Sequence, residues 1–339
     1  MQKRQRIPFS LAIISLAVLL SMLLAACGNS TPPSINQTKV SNLAPLVNVS
    51  IGLGYIPDIQ FAPFYVALSK GYYKAAGLNV TLNHGIVTDL FGEMMSGKDT
   101  FVFATGDETL VARSKNLPVV DVSTLYQRYP VSIIVPANSP IKTLADLKGH
   151  SIGEPGPFGS THIGLLALLH QAGLKTSDVN VQSIGFTQVD ALKQGRVDAV
   201  VGYTNNEPLQ LRRLGMAVRT FDVSNYQPLV SNGIITTEST LRDQKMNVVR
   251  PFVQATLQGL QDTIANPAIA VNISKSYIPG MDTSKATDEL QATIPIWTGN
   301  GQHLFGNNDS TTWQAMAQFL VSQQQIPANL DVSKAFVNM

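Results

Sequence analysis

Val49-Ser-Ile-Gly-Leu-Gly54 opens the stretch that decides the fold, because the residues after it switch period and then switch back. A helical run begins at Phe64 and is stopped after Lys70 by Gly71, and Asn79–Leu82 then reads as a strand. Asp89–Met95 reads as a helix, Thr100–Ala104 as a strand, Asp107–Asn116 as a helix and Val119–Leu125 as a strand. Such alternation predicts an α/β protein with mostly parallel sheets, since a parallel neighbour is reached only through a long crossover. In sheets of that kind ligands gather at the C-terminal ends of the strands.

Toward the C-terminus, Val131-Ser-Ile-Ile-Val135 leads into a second unit of the same kind. It comprises Ser151–Gly153, a helix Ser160–Ala172, a strand Val179–Ser183, a helix Val189–Gln194 and a strand Ala199–Gly202. The strand series ends near Gly233-Ile-Ile-Thr-Thr237, and the remainder, from Val248–Ala265 to Thr311–Gln323, is helical. A unit interrupted by a similar unit predicts two lobes, 47–130 plus 233–339 and 131–232. The cleft between them is the expected ligand site. The crossings near Val131–Val135 and Gly233–Thr237 are the expected hinges.

Toward the N-terminus, Lys3, Arg4 and Arg6 precede Phe9–Ala26, which is apolar apart from Ser10, Ser15 and Ser21. A positive stub before an apolar stretch is a secretory leader, although 18 residues also approach the length of a membrane span. Leu24-Ala25-Ala26-Cys27-Gly28 is similar to a bacterial lipobox, which implies thioether lipidation of Cys27 and cleavage just before it. Residues 1–26 are then a lipoprotein signal, and 27–46, rich in Ser, Thr, Asn and Pro, a flexible tether. Loss of the leader leaves 21 basic against 22 acidic residues, a net charge of −1.

Composition narrows the function. The 339 residues are 44% hydrophobic and only 14% charged, and no long basic run is present, which argues against a nucleic-acid partner. One cysteine excludes an internal disulfide, a cysteine-built zinc site and a cysteine-ligated cluster. His84, His150, His162, His170 and His303 are scattered without metal-ligand spacing, and no nucleophile–base pair stands out. The residues therefore point to a binding protein rather than an enzyme, with no cofactor.

Tyr55, Phe61, Phe64, Tyr126, Tyr129, Phe158 and Tyr203 fall near strand ends or helix starts, where aromatic faces can sandwich a conjugated ring. About half of them are expected in the core, Phe61 and Phe64 first. Asp58, Asp107-Glu108 and Asn205-Asn206-Glu207 each follow a strand, and their carboxylates and amides suit the hydroxyls and ring edge of a polar ligand. Asp58, Asp107 and Asn206 are equally good helix caps. Gly153-Glu-Pro-Gly-Pro-Phe-Gly-Ser-Thr161 opens a helix and is expected as one wall of the cleft, but it lacks the Gly-Lys-Ser/Thr of a phosphate-binding loop. The candidate site is thus Tyr55, Asp58, Gln60, Asp107, Glu108, Tyr126, Phe158, Ser160, Tyr203, Asn205, Asn206 and Glu207.

Longer segments carry a family resemblance. Tyr55-Ile-Pro-Asp-Ile-Gln-Phe-Ala-Pro-Phe-Tyr-Val-Ala67, Lys70-Gly-Tyr-Tyr73, Leu144-Ala-Asp-Leu-Lys-Gly149 and Gly202-Tyr-Thr-Asn-Asn-Glu-Pro208 resemble extracytoplasmic solute-binding lipoproteins of ABC importers, in the thiamine-pyrimidine and riboflavin-binding family. Tyr126-Gln-Arg-Tyr-Pro130 and Pro155-Gly-Pro-Phe-Gly159 most resemble the riboflavin-binding members. The resemblance implies a type II periplasmic-binding-protein-like fold, riboflavin as the transported ligand, and a permease with its ATPase as partners. It also implies a place on the outer face of the cell membrane, anchored by lipid. A thiamine-precursor pyrimidine is the alternative ligand, because Glu207 suits a protonated aminopyrimidine. Synthases of the same family use a cysteine-rich segment, and this chain departs from them in having only Cys27.

Overall fold

The alternation that begins at Val47 closes into a five-stranded sheet, and the unit beginning at Val131 closes into a second. The structure is a computed structural model in which residues 45–299 and 305–339 are described. The expected leader, Cys27, most of the tether and His303 lie outside the described residues. The strands are β1 Val47–Leu53, β2 Leu78–His84, β3 Phe101–Thr105, β4 Val119–Thr124 and β5 Val131–Pro136. They continue with β6 Ser151–Glu154, β7 Asn180–Ser183, β8 Ala199–Tyr203, β9 Val218–Asp222 and β10 Asn232–Thr237.

The sheet orders are β2-β1-β3-β10-β4 and β7-β6-β8-β5-β9. β1 lies parallel to both β2 and β3, while β10 lies antiparallel to β3 and β4. The second sheet repeats the plan: β6 is parallel to β7 and β8, and β5 is antiparallel to β8 and β9. Four strands of each sheet therefore run one way. The fifth, reversed strand is the one that arrives from the other sheet. This is a two-lobed α/β fold with the parallel majority that the alternation predicts.

Sequence reading missed β9. Val218-Arg-Thr-Phe-Asp222 sits at a sheet edge and buries only Phe221, so its apolar signal is too thin to separate from a loop. The inter-sheet crossings are residues 125–130 and 223–231. β5 and β10 themselves are almost wholly buried and paired on both sides. Free backbone torsions thus lie just before the two strands rather than within them.

Apolar layers cover both faces of each sheet. Around the first sheet, Phe64, Phe101, Phe252 and Trp297 are fully buried, and the Phe101 and Phe252 rings stack at 4.2 Å. The helix Ser310–Ser322 contributes Trp313, Met316, Phe319 and Leu320 to a core that also holds Val131, Ile133 and Leu165. Each such side chain stabilises the fold by roughly 1.5–3 kcal/mol on burial. Rigid sheets built this way fix the loops at their C-terminal ends.

Candidate functional site

Those loops enclose a cleft of about 760 Å³. Tyr55, Asp58 and Gln60 follow β1, His84 ends β2, and Glu108 follows β3. From the other sheet, Phe158 and Ser160 follow β6, Phe186 follows β7, and Tyr203, Asn205, Asn206 and Glu207 end or follow β8. The C-terminal ends of parallel strands in both sheets therefore face one space, as the strand-end rule requires.

Local chemistry sets each side chain. Asp58 caps a short 3-10 turn, its carboxylate accepting the Gln60 backbone N–H at 3.0 Å. Glu108 closes a capping box at the helix Gly106–Ser114, accepting from the Thr105 N–H at 2.9 Å and the Thr105 hydroxyl at 2.8 Å. Glu207 accepts the Tyr203 N–H at 2.7 Å, a fold-back that a Cβ at Gly202 would meet at 2.7 Å. Gly159 starts the helix Gly159–Gln171 at a φ of +72°, a conformation open to glycine. The Ser160 and Tyr203 hydroxyls meet at 2.9 Å, and Asn205 Nδ2 donates to Thr293 Oγ1 at 2.8 Å.

The site is acidic. Burial pushes Glu207 up to about 7, and the charge of Asp58 adds to the effect. Glu289, from the helix Thr283–Thr298, is also pushed up to about 7, by burial first and Asp58 second. Burial raises Asp58 as well, and Tyr55 rises to about 12 through burial and the nearby Glu207, Asp58 and Glu289. His84 Nδ1 lies 2.9 Å from the Tyr55 carbonyl, and burial lowers its pKa, which favours the neutral ring. Among the described residues no group of His, Cys, Asp and Glu is placed to hold a metal ion.

Aromatic and apolar surface stands open in the same space. Ile56 is 63% exposed, Phe158 43% and Phe186 62%, and all three line the cleft together with Tyr55 and Tyr203. The Tyr55 and Phe186 rings approach edge to face at 6.2 Å across it. Large apolar side chains left uncovered at a concave site mark a surface meant to be filled.

Of the twelve residues singled out by sequence, ten line the cleft: Tyr55, Asp58, Gln60, Glu108, Phe158, Ser160, Tyr203, Asn205, Asn206 and Glu207. Asp107 and Tyr126 lie behind its wall. Asp107 is fully buried and accepts the Tyr129 hydroxyl at 2.9 Å, so its carboxylate faces the core and not the ligand space. Tyr126 packs edge-on against Phe103 and Trp297, at 5.8 and 6.1 Å. Phe61 and Phe64 are core, and Phe61 also reaches the cleft beside His84. Sequence reading missed Phe186, Asp190, Asn232 and Glu289. Phe186, three residues beyond the end of β7 and before a helix, carried the same strand-end signal as Tyr55.

Comparison with known proteins agrees with the geometry. Residues 58–270 match the family described as NMT1/THI5 like. The riboflavin-binding protein RibY of Chloroflexus aurantiacus is 37% identical, over 97% of this chain and 97% of its own. The formylaminopyrimidine-binding protein of Halalkalibacterium halodurans is 25% identical, over 96% of this chain and 98% of its own. Among solved structures, the periplasmic aliphatic sulphonate binding protein SsuA of Escherichia coli superposes with a TM-score of 0.70 at 17% identity, covering 85% of this chain and 96% of that one. That last likeness is one of fold.

Proposed function

The chain belongs to the NMT1/THI5-like family, and on that premise we propose that it is the extracytoplasmic binding component of an ABC importer and that its ligand is riboflavin. A solute-binding role follows from the two-lobed fold and from relatives that bind small molecules. The observation that carries the flavin reading is the pairing of open aromatic faces with a polar edge in one cleft: Tyr55, Phe158, Phe186 and Tyr203 beside Asn205, Asn206 and Glu207. An isoalloxazine ring is flat and apolar on its faces, with donors and acceptors along its pyrimidine edge, and ribityl hydroxyls suit carboxylate acceptors.

Capture proceeds by lobe closure. Ligand enters between the sheets, the crossings at 125–130 and 223–231 bend, and groups from both lobes enclose it. Closure is favoured only as far as the ligand touches both sides. The closed protein then docks on a membrane permease driven by an ATPase, while Cys27 carries the lipid anchor that holds it at the membrane. No catalytic step is assigned, since the family's synthases rely on cysteines that this chain lacks.

A second reading has its own support: Glu207 and Glu289, both raised toward neutrality, also suit a thiamine-precursor aminopyrimidine. Titration of the protein with riboflavin, followed by flavin and tryptophan fluorescence, tests the choice. Quenching at micromolar protein supports riboflavin. No quenching, with heat released on adding the pyrimidine, reverses the order.

A further inference from the structure

Five carboxylates line the cleft, Asp58, Glu108, Asp190, Glu207 and Glu289, and among the described lining residues there is no lysine or arginine. Lys285 stands outside the lining, with its Nζ 3.7 Å from Glu289 Oε1. His84, the one lining histidine, is held toward its neutral form by burial. One buried acceptor in the lining, Asn205 Oδ1, has no hydrogen-bond partner, on a residue only 4% exposed. An acceptor left over in a site calls for a ligand that donates.

The cleft wall also contains the start of the helix Gly159–Gln171, a place where backbone N–H groups and the helix dipole ordinarily receive an anion. Here the protein supplies that anion itself. The Glu108 carboxylate lies against the helix start, close enough that a Cβ at Gly159 would sit 3.3 Å from Oε1. Burial raises the Glu108 pKa, and hydrogen bonds from Thr105 and the Ser160 backbone work against that rise. The Ser160 hydroxyl is engaged with Tyr203. The electropositive start of this helix is thereby countered.

We propose that the cleft selects the unphosphorylated form of its ligand and rejects the phosphomonoester, with Glu108 as the residue that closes the anion-binding helix start. The proposal rests on the reading of the cleft as a vitamin-binding site but not on which vitamin. A phosphate carries nearly two negative charges, and in a partly dehydrated cleft each carboxylate that is ionised repels it far more than in water. It would also give up its hydration without a cationic partner. The reaction class that must supply such a ligand from a nucleotide form is phosphoester hydrolysis outside the cell.

The test titrates the protein with matched pairs: riboflavin and flavin mononucleotide, and hydroxymethyl-aminopyrimidine and its phosphate. The expected result is riboflavin binding with flavin mononucleotide at least about 100-fold weaker, the size of a few close like-charge contacts. Glu108→Gln, and Asp190→Lys at an exposed position in case the first does not fold, should each narrow the gap by at least about tenfold. Flavin mononucleotide within tenfold of riboflavin, or a gap that neither variant narrows, overturns the proposal while leaving the riboflavin reading intact. If only the pyrimidine pair binds and its phosphate is the weaker, riboflavin is overturned and the exclusion of phosphate stands. Binding of no member of either pair overturns both.

Discussion

Glu207 turns its carboxylate back onto the strand it follows, and Oε2 accepts the Tyr203 backbone N–H at 2.7 Å. The bond fixes the end of β8 and places a buried acid beside the ligand space, with its pKa raised from 4.5 to about 7. Between those values the unfolded chain has lost the proton that the folded protein keeps. Stability therefore falls as pH rises through that window, by up to roughly 3 kcal/mol for such a group. Glu289, Asp107 and Asp121, each raised to about 7, act in the same sense, while His84, lowered from 6.5, opposes them. Ligand-free protein should melt at a lower temperature at pH 8 than at pH 5.5. Glu207→Gln, which keeps an acceptor for Tyr203, should flatten the slope; an unchanged slope would mean that Glu207 ionises normally.

Phe158 and Phe186 both line the cleft with exposed rings, so their removal should cost binding and almost nothing in folding. Phe158→Ala and Phe186→Ala should each weaken riboflavin binding by about 0.5–1.5 kcal/mol, roughly threefold to tenfold, with the melting temperature unchanged. Fluorescence titration beside a thermal melt separates the two effects. Equal affinity in both variants would move the ring-binding surface elsewhere in the cleft.

Tyr126 and Asp107 should behave in the opposite way. Tyr126 is wedged between Phe103 and Trp297, so Tyr126→Ala should cost about 3–5 kcal/mol of stability. Asp107→Asn should cost about 1–3 kcal/mol by weakening its buried bond with Tyr129. Wherever the variants fold, riboflavin affinity should change little. A tenfold loss of affinity at normal stability would return either residue to the ligand.

These two residues also mark where sequence reading stops. A strand followed by a helix places the next residues at the correct edge of the sheet, and this is why Asp58, Glu108 and Asn205 were found. It does not say which of two neighbours turns outward. In Gly106-Asp107-Glu108, Glu108 reaches back to cap the helix, and Asp107 is left pointing at Tyr129. Glu289 was invisible for another reason. It comes from a helix more than eighty residues beyond Glu207, and only packing of that helix against the first sheet's core brings it to the cleft. Local pattern finds strand ends; it does not find side chains delivered from a distance.

The bond from Asn205 Nδ2 to Thr293 Oγ1, 2.8 Å long and buried, joins the loop after β8 in the second sheet to a helix whose Leu290 and Trp297 belong to the core of the first. The helix Glu207–Arg213 is tied to the same partner where Arg213 reaches Ser284 at 3.3 Å and Asp288 at 2.5 Å. Both links span the two halves of the cleft, so both favour the approach of its walls before any ligand arrives. A neutral buried hydrogen bond contributes about 1 kcal/mol net, enough to shift a two-state equilibrium roughly fivefold. Thr293→Val keeps the shape and removes the acceptor. It should enlarge the ligand-free radius of gyration seen by X-ray scattering and weaken ligand binding about fivefold, because the ligand must then supply the closing energy that the bond provided. The ligand-bound radius should be unchanged. If the ligand-free radius also stays the same, Asn205 and Thr293 hold the local loop and take no part in closure.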